Sequence, residues 1–182
     1  MTQIRPSTTD AILEAAFQTY SVNPTASLAD VANRAGVGRA TLHRHFSGRA
    51  SLMQALAQKA TQELDAAVDA ATKDAASYTE ALQQSLTAII PLGDRQWFLS
   101  HEHDTADRAK SAAETAELLD TIDHAKSEGT FDPHIPSRWI ATAYENLIYA
   151  AWTLVRDGEA TPKQAADFAW RNLTTGLQGD TK

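Results

Sequence analysis

The sequence of 182 residues predicts an all-α fold, on three observations. Apolar residues recur every three or four positions along most of the chain, which is the spacing of one helix face. No segment sustains the alternation of apolar and polar residues that is typical of a strand. Helix-start patterns, in which Ser or Thr precedes an acidic residue or Gln by three positions, occur at Ser7, Ser27, Ser77 and Thr161.

Three short helices are predicted before residue 50. The first follows Ser7 and ends near Val22, and the second ends at Gly36, because glycine accepts a positive φ without steric cost. A short turn then leads into a third helix, which carries Leu42 and Phe46 on its apolar side. Two helices joined in this way form a helix-turn-helix. The second of them, about 12 Å long, is narrow enough to enter the major groove of B-DNA.

The polar side of this third helix supplies candidate DNA contacts. Arg44 is expected to read a base edge, because a guanidinium can pair bidentately with guanine. The alternative for all of these residues is a solvated helix face, and for His45 a structural role also stays open. The full set of expected DNA-binding residues is Ser27, Gly38, Arg39, Thr41, His43, Arg44, His45 and Arg49. Within it, Arg39 and Thr41 are assigned to bases or phosphates, and Ser27, His43 and Arg49 to phosphates.

This part of the chain resembles a known family signature in the run GVGRATLHRHFSGRASL, residues 36–52. In TetR-family transcriptional regulators, a Gly-Val turn leads into a recognition helix that ends in His/Tyr-Phe, and a Lys or Arg follows. Two positions depart from the signature, since Gly38 stands where Ser or Thr is common and His43 where Tyr is usual. The residues that fit in register are Gly36, Val37, Leu42, His45, Phe46, Arg49 and Leu52.

The resemblance implies two domains with different functions. Residues 1–48 would be the helix-turn-helix DNA-binding domain, and residues 49–182 a helical domain for effector binding and dimerisation. The implied function is a ligand-responsive regulator, most often a repressor, that binds a palindromic double-stranded DNA operator as a homodimer. Its effector would be a small hydrophobic or amphipathic molecule whose binding moves the long helix that starts at Gly48.

Charge is distributed in agreement with this division. The chain carries a formal net charge of −7, yet residues 1–55 hold five Arg against three acidic residues. Only the front of the chain is therefore suited to phosphate. The absence of cysteine excludes disulfides and thiolate ligands. No apolar run of membrane-spanning length and no charged-then-apolar leader occur, so we expect a cytoplasmic protein without membrane contact.

The C-terminal domain is predicted to contain one long helix and several shorter ones. The long helix, capped by Ser47, runs without Gly or Pro to about Ala71 and could join two domains. Later helices are expected to start at Ser77, Asp94 and Asp104 or Thr105, with helix ends at Pro91, Gly93 and Glu128-Gly129.

The last two helices are expected at about 136–157 and 161–178. Residues 139–155, WIATAYENLIYAAWTLV, are apolar on nearly every side, so nearly every side needs a cover. A domain of this size covers one face with its own helices, which leaves the other for a second subunit. The pattern therefore predicts a homodimer through these two helices, as the family resemblance also implies.

Aromatic residues concentrate in the second half of the chain. Trp97, Phe98, Tyr149 and Trp152 are our candidates for lining an effector pocket, whereas core and dimer packing is the alternative for each.

No catalytic constellation is visible, so we expect neither an enzyme nor a cofactor. The cluster His101-Glu102-His103-Asp104 offers metal-ligand types, but side chains two positions apart do not share a helix face, so no metal site is predicted. Three alternatives stay open: an activator or ligand-independent regulator on the same fold, a small helical metal-dependent enzyme, and a protein-binding module.

Overall fold

The structure is a computed structural model that describes residues 7–101 and 108–176, without the side chains of 108–112. Every regular element in these ranges is a helix, which confirms the all-α prediction. The elements are α1 (Thr8–Tyr20), α2 (Leu28–Arg34), α3 (Arg39–His45), α4 (Arg49–Thr72), α5 (Tyr78–Ile89), a 3₁₀ turn (Ile90–Leu92), α6 (Gly93–His101), α7 (Arg108–Ser127), α8 (Ser137–Arg156) and α9 (Pro162–Thr175). No described helix is long and apolar enough to cross a membrane.

Side-chain caps start four of these helices where the sequence predicts them. The hydroxyl oxygens of Ser7, Ser27, Ser77 and Thr161 each accept a hydrogen bond from the backbone amide three residues later. Each of these bonds satisfies one of the amides that a helix start leaves without a partner. Local sequence therefore determines where α1, α2, α5 and α9 begin.

The predicted boundaries at Ser47, Gly93 and Asp94 are not found as expected, whereas the helix end at Pro91 is. The N-cap of α4 is Gly48 and not Ser47. The Gly48 amide donates a hydrogen bond to the Ser51 hydroxyl oxygen, with 3.2 Å between the two atoms. Pro91 ends α5 as predicted, because α5 stops at Ile89 and proline is tolerated only at the start of the 3₁₀ turn that follows. Gly93 is not a helix end, since α6 begins at Gly93 itself. Asp94 consequently lies inside the first turn of α6 instead of capping it. The predicted start at Asp104 or Thr105 lies outside the described residues.

Two hydrophobic cores organise the helices. The N-terminal core combines α1, α2, α3 and the first half of α4 with Phe98 of α6. The C-terminal core combines α5, the 3₁₀ turn and α7 with α8 and α9. Because α6 packs into the N-terminal core, packing does not follow chain order: an element from the second half of the sequence completes the core beneath the helix-turn-helix.

Helix α4 connects the two ends of the molecule. Its 24 residues span about 36 Å at the usual helical rise. Leu52, Leu56 and Ala60 are fully buried in the N-terminal core, and α5 packs along the same helix. A displacement of α4 would therefore move the helix-turn-helix relative to the C-terminal helices.

Candidate nucleic-acid interface

Helix α3 has one buried side and one solvent-facing side. Leu42 is 1% exposed and Phe46 is 5% exposed, and both pack in the N-terminal core. The outer face comprises four exposed residues at helix-neighbour spacing, namely Arg39, Ala40, His43 and Arg44. The predicted DNA contacts Arg39, His43 and Arg44 thus lie together on one surface, which we call the α3 face.

Two residues of α3 differ from the sequence interpretation. Thr41 is half-buried, so its hydroxyl is less available to DNA than the α3 face is. Ala40 was not among the predicted contacts, although it lies between Arg39 and the second exposed pair. A methyl group in that place suits the C5-methyl of thymine. Helical spacing from Arg44 would have been sufficient to find it.

The turn before α3 fixes how this helix is presented. Gly36 has a φ of +67°, the left-handed conformation that favours glycine. Gly38 is the N-cap of α3, and its carbonyl accepts hydrogen bonds from the amides of Thr41 at 2.9 Å and Leu42 at 3.1 Å. A Cβ at Gly38 would meet no atom within 4 Å, so glycine is not required there by space.

Ser27 is engaged as a helix cap. Its hydroxyl donates to the Asp30 carboxylate at 2.7 Å, and its amide donates to the same carboxylate at 2.8 Å. These bonds lower the pKa of the Asp30 carboxyl, which therefore stays charged beside α3. A groove of about 240 Å³ separates this cap from the α3 face and is lined in part by Ser27, Arg39 and His43.

Arg49 makes contacts within the fold. Its guanidinium donates to the carbonyl oxygens of Ala26 at 2.8 Å and Pro24 at 3.0 Å. It also lies 4.8 Å from the ring centroid of Tyr20. These contacts tie the start of α4 to the loop between α1 and α2, and they occupy donors that the sequence interpretation assigned to DNA phosphate.

His45 also has a partner inside the N-terminal domain. Its Nδ1 atom lies 3.0 Å from the Thr9 hydroxyl, which joins the end of α3 to the start of α1. This contact favours the structural alternative that the sequence left open for His45.

The four candidate effector-pocket residues fall into two groups. Phe98 is 2% exposed and packs edge-on against Phe17, with ring centroids 5.7 Å apart. It therefore has a packing role in the N-terminal core, and Trp97 packs against the same core. Tyr149 and Trp152 lie instead on α8, with ring centroids 5.7 Å apart.

His101 is placed by a ring contact. Its imidazole stacks on Trp97 with centroids 4.4 Å apart, and its Nδ1 atom lies 2.8 Å from the Trp97 carbonyl oxygen. The other members of the predicted cluster, Glu102, His103 and Asp104, lie outside the described residues. Within the described part of the chain, no group of three or more His, Asp or Glu side chains is arranged to hold a metal ion.

Large apolar side chains remain exposed on the last two helices. Trp139 at the start of α8 is 69% exposed, and Phe168 in the middle of α9 is 50% exposed. These helices pack against each other through Ala165 and Ala169, which are almost completely buried. The small side chains let the two helices approach closely and leave aromatic groups on their outer surface.

Comparison with known proteins assigns this architecture. Residues 12–56 match the model for bacterial regulatory proteins of the tetR family. The HTH-type transcriptional repressor LfrR of Mycolicibacterium smegmatis is 31% identical over 179 residues, which cover 95% of this chain and 92% of the relative.

Solved structures agree with this assignment. LfrR from Mycobacterium smegmatis in complex with proflavine superposes with a TM-score of 0.70 at 28% identity, covering 94% of this chain and 97% of that chain. The MbdR regulator from Azoarcus sp. CIB has the same fold, with a TM-score of 0.70 at 18% identity, covering 95% of this chain and all of that chain. The chain therefore belongs to the TetR family and is a DNA-binding transcriptional regulator.

Proposed function

We propose that this regulator is a repressor that binds a palindromic operator as a homodimer and is released by a small molecule. The observation that carries the proposal is the α3 face, where Arg39, His43 and Arg44 are exposed beside one another. Arg44 is assigned to a guanine edge and Ala40 to a thymine methyl group. Arg39 and His43, which line the groove beside Ser27, are assigned to the phosphate backbone.

A homodimer through α8 and α9 supplies the second recognition helix. The exposed side chains of Trp139 and Phe168 on these helices are costly to leave in water, and a second copy would cover them. Two-fold symmetry then places the two α3 helices in successive major grooves about 34 Å apart. The operator is accordingly a palindrome or close to one.

The effector is proposed to be a planar aromatic cation. The relative LfrR was crystallised in complex with proflavine, and LfrR is similar to this chain over nearly its whole length. On α8, Glu145 precedes Tyr149 by four residues and Trp152 by seven, so the three side chains share one helix face. Glu145 is exposed on this face, and partial desolvation by its neighbours raises the pKa of its carboxyl while Arg138 opposes this effect, so an additional cation would stabilise the carboxylate. The aromatic rings of Tyr149 and Trp152 would attract a planar cation through cation–π contacts.

Release from DNA requires differential affinity. An effector that bound the DNA-competent and the DNA-free conformations equally would release nothing, however tightly it bound. We assign the moving element to α4, because it joins the N-terminal core to the C-terminal helices.

The first test is recovery of operator DNA. Genomic fragments are enriched on the purified protein at moderate salt, and the affinity for the recovered fragment is measured for Arg44→Ala and for Lys73→Ala. Lys73 is exposed at the opposite end of α4, so its replacement removes one positive charge far from the α3 face. We expect Arg44→Ala to weaken binding about 5- to 150-fold, with a relaxed preference at one base pair, and Lys73→Ala to bind like the native protein.

The outcomes separate the alternatives. A palindrome recovered by the native protein supports the proposal, whereas binding that does not fall with rising salt, or that survives Arg44→Ala unchanged, removes the α3 face from the interface. A fragment that proflavine does not release supports a ligand-independent regulator or a different effector. Transcription from the recovered promoter, which rises or falls when the gene is deleted, decides between repressor and activator.

The dimer is tested separately. Sedimentation of Phe168→Glu is expected to give monomers at concentrations where the native protein is dimeric, because a buried charge at the centre of the interface is unfavourable. The exposed Lys163→Glu at the start of α9 is the matched control. A native protein that sediments as a monomer throughout would contradict the proposed assembly.

A further inference from the structure

Helix α6 contacts both ends of the molecule. Phe98 and its neighbours pack into the N-terminal core, where the Phe98 ring lies edge-on against Phe17 of α1. The opposite end of α6 begins at Gly93, which lies directly against Trp152 of α8. A Cβ added at Gly93 would overlap Cβ, Cγ and Cδ1 of that indole, so backbone and ring are in close contact. Helix α6 is therefore clamped between α8 and α1.

A cluster of ionic side chains fastens α6 to α1 and α4. Arg95 of α6 is only 8% exposed. Its Nε atom donates to Glu63 of α4 at 2.9 Å, its Nη1 atom donates to Asp94 at 2.7 Å, and its Nη2 atom donates to Glu14 of α1. The guanidinium also lies 4.6 Å from the ring centroid of Phe17.

The same cluster is extended by Lys59. Its ammonium group lies 2.8 Å from Glu63 and 3.3 Å from Asp10, so α4 is also joined to α1. We call the group formed by Asp10, Glu14, Lys59, Glu63, Asp94 and Arg95 the Arg95 cluster. It contains four carboxylates and two cations, and Arg95 alone bonds three of the carboxylates.

Loss of Arg95 would turn the net electrostatic attraction between α1, α4 and α6 into a net repulsion. Without the guanidinium, the carboxylates of Glu14, Glu63 and Asp94 would face one another across three helices with a single remaining cation, Lys59. Like charges at this range repel, most strongly at Asp94, whose side chain is 12% exposed, and solvent screens the repulsion in part at Glu63 and Glu14, which are 31% and 45% exposed. The Arg95 cluster therefore holds α1 to α6 while the guanidinium lies between the carboxylates. When the guanidinium is displaced, the remaining carboxylates push the two helices apart.

We propose that Arg95 is the positioning residue that transmits the state of the effector region to the DNA-binding helices. It rests on the proposed function, in which an effector contacts Trp152. An effector that shifts the Trp152 indole must also shift Gly93, because the two are in contact. Gly93 directly precedes Asp94 and Arg95, so the shift is carried to Glu14 and Glu63 and changes how α1 and α4 are held. Operator affinity changes because α1 and α4 support α3.

The first arm of the test needs neither DNA nor effector. Backbone amide hydrogen exchange is measured for the native chain, for Arg95→Gln and for Glu14→Gln. Glu14→Gln removes only the ionic bond from Arg95 to α1 and leaves Arg95 bonded to Asp94 and Glu63. Arg34→Gln is the matched control, because Arg34 also bonds α1, at 3.2 Å to Gln18, but through a neutral partner and not to α6. We expect exchange in α1 and α6 to rise about tenfold or more in Arg95→Gln and less in Glu14→Gln, with α9 unchanged.

The second arm measures coupling. Operator affinity is determined with and without proflavine, and dye binding is followed separately by its fluorescence. A typical allosteric ratio between the two operator affinities is about 5- to 150-fold. We expect this ratio to fall below about 2-fold in Arg95→Gln, to an intermediate value in Glu14→Gln, and to stay at the native value in Arg34→Gln, while the dye affinity of each variant remains measurable.

Each result decides a different statement. Unchanged exchange in α1 and α6 overturns the clamp, and raised exchange with a native coupling ratio overturns its regulatory role. If proflavine does not bind the native protein, the proposed effector fails and the exchange arm alone decides whether Arg95 positions α1. If Arg95→Gln does not fold, Glu14→Gln, which retains the buried guanidinium and two of its bonds, carries both arms.

Discussion

Replacing Gly93 with alanine perturbs the contact between α6 and α8 by a single methyl group. Gly93 has a φ of −63°, an ordinary helical value, so its backbone does not require glycine. Helix propensity alone would make alanine more stable by at most about 1 kcal/mol. The added Cβ would overlap the side chain of Trp152, which is 6% exposed and has little room to move. Overpacking of this kind costs about 1–3 kcal/mol, so we expect a net loss of about 1–2 kcal/mol.

Urea unfolding of the full chain measures this loss. Native and variant proteins are compared at one protein concentration, because the stability of the proposed dimer would depend on that concentration. The unfolding midpoint is expected to fall while the slope stays constant. In Gly48→Ala, where an added Cβ meets nothing within 4 Å, the loss should stay below about 1 kcal/mol. In a Trp152→Ala background, which lacks two of the overlapping atoms, Gly93→Ala should cost less than in the native chain. A Gly93→Ala protein that is more stable than the native one would refute the contact.

Two further substitutions address the N-terminal domain. Arg49→Lys is expected to lower the free energy of unfolding by about 1–2 kcal/mol in urea, because one ammonium cannot reproduce the two bonds to the carbonyls of Pro24 and Ala26. A variant of native stability would show that these two bonds do not stabilise the fold. Burial opposes ionisation of Glu63, but hydrogen bonds from Lys59 and Arg95 outweigh it and lower the pKa of Glu63 below its usual value of 4.5. A carboxyl with a lowered folded pKa stabilises the protein above its unfolded pKa and loses this effect as pH falls through the folded value. The difference in unfolding midpoint between the native protein and Glu63→Gln should therefore be largest above about pH 4.5 and shrink on acidification. A difference that grows in acid would contradict this sign.

The helix boundaries and the α3 face could be predicted because both depend on residues close together in sequence. A capping bond, such as that of Ser27 to Asp30, joins residues three positions apart. The helical period fixes which residues of α3 face the solvent once Leu42 and Phe46 are assigned to the core. For this reason Arg39, His43 and Arg44 were found together on the surface where the sequence placed them.

The contacts that Arg49 and His45 make within the fold could not be obtained from local pattern. The sequence assigns Arg49 to phosphate because helix N-termini favour phosphate, and it lists His45 as a DNA contact with a structural role left open. Their partners lie far away in sequence: Arg49 bonds a carbonyl 25 residues earlier, and His45 contacts a hydroxyl 36 residues earlier. A basic side chain near a recognition helix can therefore also bond within the domain, and such a bond becomes visible only when the distant partner is placed.

Arg95 is the strongest case of this kind. In sequence it is an ordinary arginine beside Asp94, and such a pair on an exposed helix would contribute little. Its importance comes from Glu63, 32 residues earlier, and Glu14, 81 residues earlier, which converge on it only when α6 packs against the N-terminal core. The apolar run at Trp97 and Phe98 was interpreted as pocket lining for the same reason, since its partner Phe17 is equally distant. Both the Arg95 contacts and the Phe98–Phe17 contact follow from the packing of α6 against the N-terminal core. The helix that touches Trp152 of α8 is therefore also the helix that holds α1.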